Sequence, residues 1–410
     1  MREKDLERLG FFEVLEKIKE FTHSKATQRY IDQIRPIKEE ESLKRELSLV
    51  SDFMKISEQV SIYSFEDVEE LIKRASIKDA FLSVEELISL LKVLKLIREV
   101  RKSLGTHVSE YVSLQSLTKS LYLFSNLESL IESSIDMRGF VKDSASEELN
   151  EIRKKIRSVE KEIMKRLESL LSQQNIFSDK FVAFKNNRYV LPVKTTEAKK
   201  IIGIVHGTSS SGFTTYIEPH SVVELNNQLI TLRSEEEDEI KRILRRITAY
   251  VGEQYQRLME AFQTLIKVDY LKALSTFAQL TGGKVISIGD KVELREARHP
   301  LLVFIKEKVV PVDILLLERR GLLLTGPNTG GKTVALKTLG LCSLLFQCAI
   351  PVPAREDSKL PVFENVFTDI GDEQSIEQNL STFSAHVSNI SEFLPMVNER
   401  SLVLLDELGA

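Results

Sequence analysis

The feature that most constrains this chain is the eight-residue run GPNTGGKT at positions 326–333. It fits the phosphate-binding pattern G-x-x-x-x-G-K-[ST], and it stands between an apolar stretch and the helical pattern VALKTLGLCSLLF. Glycines at these positions let backbone N–H groups curl around a phosphate, and the helix that follows adds the partial positive charge of its N-terminus. The run therefore predicts a nucleotide site in an α/β domain, preceded by a strand over Leu322–Thr325. The predicted site residues are Gly326, Pro327, Asn328, Thr329, Gly330, Gly331, Lys332 and Thr333.

ATP with Mg²⁺ is the ligand that this chemistry predicts. Lys332 would neutralise the β- and γ-phosphate oxygens, and Thr333 would offer its hydroxyl to Mg²⁺. The apolar run Ser401–Leu405 indicates a buried strand that ends in Asp406 and Glu407. An acid after a strand is a weak signal alone, but this pair begins 74 residues after Lys332 in the same predicted domain. We expect Asp406 to hold Mg²⁺ and Glu407 to polarise the attacking water, as in an ATPase.

The segment DIGDEQSIEQNLSTFSAHV (369–387) lies between these two motifs. Ser381 and Thr382 stand where a helix could begin. A helix N-terminus with hydroxyl groups is an anion site, and the immediate Asp-Glu pair suggests ATPases that hold ATP between two domains. The alternative for Ser381 is an ordinary N-cap, and the stretch by itself does not separate the two interpretations.

The hydrophobic period divides the remaining sequence. Residues 1 to about 170 carry helical patterns, including a capping box at Ser83 and Glu86. From about residue 180 the pattern alternates, with Asn186-Asn187 as a hairpin turn, and a second capping box at Ser221 and Glu224 opens a helix to about residue 262. We expect two antiparallel helices that carry a small β module. The first helix, within 146–171, has an apolar stripe of Leu149, Ile152, Ile156, Val159, Ile163 and Leu167.

Basic and aromatic residues interleave in this β module, which between positions 180 and 200 has one acid, Glu197. Basic residues among aromatic rings suit contact with nucleic-acid phosphates, RNA included. The alternative is a solvated strand face over a small aromatic core. We favour phosphate contact because the chain has a net charge of −4 whereas this segment is basic. The candidate phosphate contacts are Lys180, Lys185, Arg188, Lys194, Lys199 and Lys200.

Location signals are few. No run of 18 apolar residues occurs, so the sequence predicts no membrane span. The charged start MREKDLERLGFF lacks the apolar region of a signal peptide. Cys342 and Cys348 have no metal-ligand spacing and lie in an apolar helical stretch, which predicts buried free thiols in a reducing cytoplasm.

Several segments together resemble the MutS family. They are GPNTGGKT, IGDEQSIEQNLSTFS, LVLLDELGA, ARHPLL and the series YVLPVK, GIVHGTSSSG, YIEP and VVELNN. The YVLPVK and SSSG segments resemble more narrowly the bacterial MutS-two branch, which lacks mismatch-reading domains. The resemblance covers most of the chain.

The resemblance implies a multidomain α and α/β fold with a helical core, long antiparallel lever helices, a small β-rich clamp and an incomplete C-terminal ABC-type P-loop ATPase domain. It also implies a homodimer in which Ser381 serves the nucleotide of the partner subunit. The implied domains are helical core and ascending lever at 1–172, clamp at 173–220, descending lever and core at 221–281, and ATPase at 282–410.

Two functions follow from the resemblance. The first is an ATP-driven clamp on branched DNA that suppresses homologous recombination. The second is a factor that contacts rRNA, senses stalled, collided ribosomes and splits them. An SMC-like ATPase head is a third, disfavoured alternative, because each arm helix is only ~60 Å long and the tip is a β module.

The family continues beyond the segment that ends Asp-Glu-Leu-Gly-Ala. We therefore expect a fragment cut just after Walker B, with impaired ATP hydrolysis and without the Smr-type nuclease domain that members of this branch carry.

Overall fold

The computed structural model describes residues 1–173, 175–318, 320–326, 331–370 and 379–406, with the backbone alone at 173 and 379–385. Its contacts divide the chain into two compact units. The first unit comprises Met1–Asp67, Lys95–Leu123 and Arg257–Ala410, and the second comprises Val68–Leu94 and Phe124–Gln256. The fold is mixed helical and α/β with several small sheets, which agrees with the predicted fold class at that level.

The secondary structure begins with helices and becomes mixed after residue 180. No helix among the described residues is long and apolar enough to cross a bilayer. The helices are α1 (Glu3–Arg8), α2 (Phe11–Lys19), α3 (Lys25–Asp32), α4 (Glu40–Ile56), α5 (Glu69–Ala75), α6 (Val84–Gly105), α7 (Gln115–Ser120), α8 (Ser125–Ser134), α9 (Glu147–Gln173), α10 (His220–Glu253), α11 (Tyr255–Thr281), α12 (Lys332–Gln347) and α13 (Asn379–Phe393). The strands are β1 (Ile135–Asp136), β2 (Phe140–Val141), β3 (Ala183–Lys185), β4 (Arg188–Lys194), β5 (Gly203–Thr208), β6 (Thr214–Pro219), β7 (Ser287–Ile288), β8 (Val292–Ala297), β9 (Val312–Leu316), β10 (Lys359–Leu360), β11 (Asn365–Asp369) and β12 (Ser401–Leu405).

Helices α9 and α10 of the second unit pack antiparallel. Arg153 near the start of α9 pairs with Glu236 at 2.6 Å, whereas Arg166 near its end donates to the carbonyl of Ser221 at the start of α10 at 2.9 Å. The predicted apolar stripe of α9 is confirmed, because all six of its side chains are buried. Five of them, all except Leu149, pack with Leu229 of α10 and with side chains of the β module in one hydrophobic cluster.

The β module is a four-stranded antiparallel sheet with the order β3-β4-β6-β5. The predicted hairpin turn is confirmed: Asn186 and Asn187 join β3 to β4 with φ of 51° and 59°. Asparagine tolerates this left-handed region, and two such residues form the turn that matches the twist of the strands. Leu191, Val193 and Ile217 place the inner face of the sheet on the α9–α10 cluster.

The two predicted capping boxes have different outcomes. The first is confirmed, since the Ser83 N–H donates to Glu86 Oε2 at 2.8 Å and the Glu86 N–H donates to Ser83 Oγ at 3.3 Å. The second is wrong. Helix α10 begins at His220 after Pro219, so Ser221 already lies inside the first turn and no side chain caps the helix.

The predicted single helix to about residue 262 is also wrong, because α10 ends at Glu253 and α11 begins at Tyr255. A Cβ atom on Gly252 would lie 2.4 Å from the carbonyl oxygen of Ala75. Only glycine allows the last turn of α10 to approach the end of α5 so closely, and glycine is a poor residue for continuing a helix.

In the first unit, β11 and β12 pair in parallel, with Asp369 opposite Leu405. A second sheet has the order β7-β10-β8-β9. Helix α12 lies close to β12, because a Cβ atom on Gly340 would lie 2.6 Å from the Leu404 side chain. The carboxyl ends of β11 and β12 therefore share one edge, and α12 packs beside it.

The predicted strand over Leu322–Thr325 is wrong. These residues lie outside any strand, and Leu323 is 86% exposed. A strand needs a neighbour for its backbone hydrogen bonds, and among the described residues neither β11 nor β12 pairs with this stretch.

Candidate nucleotide site and basic module

The phosphate-loop motif begins at Gly326 and leads into α12. Gly331 has a φ of 82°, a left-handed conformation that favours glycine, and the helix starts at the next residue. Lys332 Nζ donates to the carbonyl oxygen of Gly326 at 2.8 Å, so the ammonium group reaches back across the motif. Pro327, Asn328, Thr329 and Gly330 lie outside the described residues.

Thr333 and Asp406 meet although 73 positions separate them in the sequence. Thr333 Oγ1, in the first turn of α12, donates to Asp406 Oδ2. Asp406 follows β12, and its N–H donates to the carbonyl oxygen of Asp369 at 3.0 Å. The two predicted magnesium ligands therefore lie together at the carboxyl edge of β11 and β12.

This arrangement fits a magnesium nucleotide. The converging side chains offer one hydroxyl and one carboxylate, which are the hard oxygen ligands that Mg²⁺ prefers. Lys332 supplies a positive charge at the same helix start, where unpaired backbone N–H groups favour an anion. A hydrogen bond between a hydroxyl and a carboxylate also fixes both oxygens before any ligand binds.

Two predicted site residues fall where the structure gives no side-chain contacts. Glu407 lies outside the described residues. Ser381 is the third residue of α13, which begins at Asn379. Its side chain lies outside the described residues.

Sequence reasoning missed a cluster at the end of β11. Asp369 is buried, His386 Nδ1 lies 2.8 Å from its Oδ2, and Asn389 Nδ2 donates to its Oδ1 at 2.9 Å. Asn389 Nδ2 also donates to the Thr368 carbonyl oxygen at 3.0 Å. Two signals could have predicted the cluster: an acid that ends a strand, as at Asp406, and polar residues at i and i+3 of a helix.

The N-terminal helix contacts the same strand, which sequence reasoning also missed. Asp5 is fully buried and accepts hydrogen bonds from the N–H and Oγ1 of Thr368 at 3.0 and 3.1 Å. The Arg2 guanidinium lies 5.2 and 5.1 Å from the ring centroids of Phe367 and Phe393. Helix α1 thus packs on β11 within the first unit, and no local sequence pattern predicts a contact between such distant segments.

His299 in the ARHPLL segment is buried, and its Nδ1 has no hydrogen-bond partner among the described residues. Burial, together with the nearby Lys337 ammonium, lowers the pKa of His299 to about 4. The side chain is therefore neutral near pH 7. The two cysteines are buried free thiols, as predicted, and burial raises the pKa of Cys342 to about 12.

Arg188, one of the six predicted phosphate contacts, is engaged inside the β module. Its Nη1 donates to Oε1 of the fully buried Glu218 at 2.7 Å, and its Nη2 donates to Asn227 Oδ1 at 2.6 Å. Glu218 also accepts from Asn226 at 2.9 Å, and its Oε2 lies 2.7 Å from His206 Nε2. These contacts satisfy a buried carboxylate and tie β4, β5 and β6 to the start of α10.

The five lysines of the predicted set have different surroundings. Lys185 Nζ lies 4.3 Å from the centroid of the Tyr216 ring, and Lys200 pairs with Glu197 at 2.5 Å. Lys180, Lys194 and Lys199 are exposed, and Lys200 is exposed as well despite its ion pair. Apolar side chains on the module are exposed too, at 53% for Phe181, 48% for Phe184 and 79% for Phe213.

The motif order and the paired hydroxyl and carboxylate are typical of P-loop ATPases. Residues 322–410 match the family model described as MutS domain V, an ATPase-type domain. The chain is 54% identical over 413 residues to Endonuclease MutS2 of Aquifex aeolicus (strain VF5), covering 100% of this chain and 54% of that protein. It is 38% identical over 422 residues to Putative endonuclease MutS2 of Bacillus subtilis (strain 168), covering 100% of this chain and 53% of that protein.

The chain spans about half the length of these curated relatives. The match to domain V and the identity over the full chain place it in the MutS family, an ATPase family, and within it in the MutS2 group.

Proposed function

We propose that the chain binds ATP with Mg²⁺ at 326–333 and hydrolyses it as part of a MutS-type ATPase. The observation that carries the proposal is the hydrogen bond from Thr333 to Asp406 at the start of α12. It joins the two segments that would supply the magnesium ligands. Bound Mg²⁺ would neutralise charge on the β- and γ-phosphate oxygens. Lys332 would exchange its contact with the Gly326 carbonyl for phosphate oxygens.

Catalysis is proposed to need two further residues. Glu407, next to the magnesium ligand in sequence, would orient and polarise the water that attacks the γ-phosphate. Ser381 would contact the nucleotide of the partner subunit, so that each active site is composite and turnover requires a homodimer. The support for this is the position of Ser381 near the N-terminus of a helix that packs beside β11.

We propose that the β module contacts nucleic acid through its exposed lysines. Lys180, Lys194 and Lys199 are exposed, and they would neutralise phosphates without breaking an internal contact. Arg188 would instead stabilise the module through Glu218. Helices α9 and α10 would act as lever arms between the module and the ATPase. The proposed domains are the helical core with the ascending lever at 1–172, the clamp at 173–220, the descending lever with core at 221–281 and the ATPase at 282–410.

Branched DNA is the proposed nucleic acid, with suppression of homologous recombination as the outcome. The exposed rings of Phe181, Phe184 and Phe213 support a second candidate, rRNA on stalled ribosomes, because aromatic rings stack on unpaired bases. The relatives carry the name endonuclease. We propose that the name refers to an Smr domain separate from the ATPase. We assign no nuclease role to the residues described. Comparing how strongly four-way DNA junctions and ribosomes raise ATP turnover separates the two candidates.

Mixed dimers test the composite ATPase. One full-length subunit carries Lys332→Ala and the other carries Ser381→Ala, with a different affinity tag on each so that mixed dimers alone are purified. Each variant as a homodimer should be inactive. The mixed dimer should regain about half of wild-type turnover, because one of its two sites has an intact phosphate loop and an intact partner serine. A mixed dimer as inactive as both homodimers would contradict the proposal.

A further inference from the structure

The cluster of Asp369, His386 and Asn389 at the end of β11 is not among the residues proposed above to bind or hydrolyse ATP. We propose that His386, Asn389 and Asp369 position helix α13, and with it the Ser381 segment, for the nucleotide of the partner subunit. The inference rests on the composite ATPase proposed above and deepens it. None of the three side chains is proposed to touch a phosphate, so they are positioning residues.

The contacts of His386 and Asn389 fix the rotation of α13. His386 and Asn389 lie three residues apart, so they share one face of α13. Both bond to the same carboxylate, at 2.8 Å from Asp369 Oδ2 and 2.9 Å from its Oδ1. Two contacts from successive turns to one fixed group set the rotation of a helix about its axis as well as its position along the strand.

The Asp369 carboxylate, to which both side chains bond, is itself held in place. Asp369 is only 4% exposed, and Arg8 Nη1 lies 4.0 Å from its Oδ1. The preceding residue, Thr368, is fixed as well, since its N–H and hydroxyl donate to Asp5 and its carbonyl oxygen accepts from Asn389. The face of α13 therefore contacts a rigid point of the sheet.

Asp369 also contacts the segment that carries Asp406. The carbonyl oxygen of Asp369 accepts the N–H of Asp406, the proposed magnesium ligand. One residue thus fixes the backbone of one subunit's magnesium ligand and the helix that serves the other subunit's nucleotide. Ser381 lies five residues before His386, about 7 to 8 Å along the helix axis. A small rotation of α13 would displace it, and misplacement by about 1 Å can cost about 100-fold in rate.

The far end of α13 has a separate anchor. Lys4 Nζ donates to Glu392 Oε2 at 2.5 Å, and the Phe393 ring stacks on Phe367 with centroids 5.1 Å apart. This anchor holds α13 against the unit even when the contact at His386 is removed. Substitution of His386 should therefore shift the start of the helix without releasing it, which makes the test below practicable.

The experiment uses the mixed dimer of Lys332→Ala and Ser381→Ala subunits in their full-length form. Its single active site combines the phosphate loop of the Ser381→Ala subunit with the α13 of the Lys332→Ala subunit. In the first arrangement, His386→Leu is placed in the Lys332→Ala subunit, whose α13 serves the active site. In the second arrangement, it is placed in the Ser381→Ala subunit, whose α13 serves the inactive phosphate loop of the partner. The same protein and the same substitution thus provide the matched control.

We expect turnover to fall by about tenfold or more in the first arrangement and to change little in the second. In the first arrangement kcat should fall more than KM changes, because the nucleotide-binding loop is untouched. His386→Asn should restore much of the activity, since its side-chain amide can donate in place of Nδ1–H.

Three results with an active starting mixed dimer would overturn the inference alone. Equal losses in both arrangements would indicate a general effect on folding, and no loss in either would show that His386 positions nothing. Failure of His386→Asn to restore activity would exclude the hydrogen bond to Asp369 as the cause. Absence of activity in the mixed dimer before His386 is changed would instead refute the composite ATPase itself, and the inference with it.

Discussion

The nucleotide region and the β module both carry charged groups, but they differ in where those groups point. In the nucleotide region, atoms from distant segments converge, as Thr333 and Asp406 do at the edge of two parallel strands. In the β module, Arg188 turns inward to Glu218 whereas Lys194 and Lys199 extend into solvent. Converging groups define the chemistry of a ligand even without the ligand. Dispersed exposed cations define only its charge.

The same contrast is visible in the histidines. His206 of the module meets a buried carboxylate, Glu218, at 2.7 Å. His299 of the nucleotide-binding unit is buried beside a cation, Lys337, with Nδ1 unpartnered among the described residues. A buried polar group with a partner stabilises local structure, whereas one without a partner reduces stability when it becomes charged.

Substitution of Asp406 tests whether the converging groups of the nucleotide region bind a magnesium nucleotide. Asp406→Ala should lower ATP turnover by about 10³-fold, because it removes both the proposed magnesium ligand and the acceptor of the Thr333 hydroxyl. Glu364→Ala is the control, since Glu364 lies at the opposite end of the same strand pair and pairs with Arg400. Steady-state turnover of both variants checks the prediction. Equal losses would mean that the strand pair matters only as a scaffold.

The next effect tests whether Arg188 is structural. Arg188→Met should destabilise the β module by about 3 kcal/mol, because it leaves the buried Glu218 without its cation. Hydrogen exchange of the amides in β4 and β6 measures this locally. Lys199→Met is the matched control and should leave the exchange almost unchanged, since Lys199 is exposed. If Arg188→Met left exchange unchanged and weakened nucleic-acid binding, Arg188 would belong with the exposed cations.

A pH dependence sharpens the contrast between the histidines. The folded pKa of His299, about 4, lies below the unfolded value near 6.5, so the unfolded state binds the proton first as pH falls. Titration of His299 therefore leaves the free energy of unfolding unchanged above about pH 6.5. Between about pH 6.5 and 4 it lowers the free energy of unfolding, by about 2 kcal/mol at pH 5. Urea unfolding measures the free energy of unfolding at pH 7.5 and at pH 5. The difference between the two values should be smaller by about 2 kcal/mol in His299→Leu than in the wild-type chain. An unchanged difference would show that His299 is not buried in neutral form.

The smallest effect concerns the exposed lysines. Replacing Lys180, Lys194 and Lys199 by alanine should weaken nucleic-acid binding mildly. The slope of log affinity against log salt should fall by about 0.7 to 0.9 for each phosphate that is no longer neutralised. Lys200→Ala is the control, because Lys200 already pairs with Glu197. Binding titrations across a salt series measure both. An unchanged slope in the triple variant would place the phosphate-binding residues elsewhere.

Local patterns predicted local structure well. The Asn186-Asn187 turn and the Ser83–Glu86 capping box depend on residues within about one turn of chain, and the apolar stripe of α9 depends on the period of a single helix. The structure confirms all three. The glycine-rich run and the acid after β12 also predicted which two segments would meet.

What the sequence could not predict depends on distant contacts. The break after Glu253 lies next to the close approach of Gly252 to Ala75, and Leu322–Thr325 pairs with no strand in the part of the chain that the structure describes. Arg188 looked like the neighbouring lysines until the fold placed Glu218 beside it. The cluster of Asp369, His386 and Asn389 likewise exists only when α13 packs on β11.

The proposed function depends on binding of ATP with Mg²⁺ through the segment around Lys332. Equilibrium binding of a fluorescent ATP analogue to the 410-residue chain, with Mg²⁺ or with chelator, measures this binding, with Lys332→Ala as the control and circular dichroism as the check of folding. We predict micromolar, Mg²⁺-dependent binding that the substitution weakens by at least about tenfold. Equal binding by both folded proteins, or no binding by the folded wild-type chain, would contradict it.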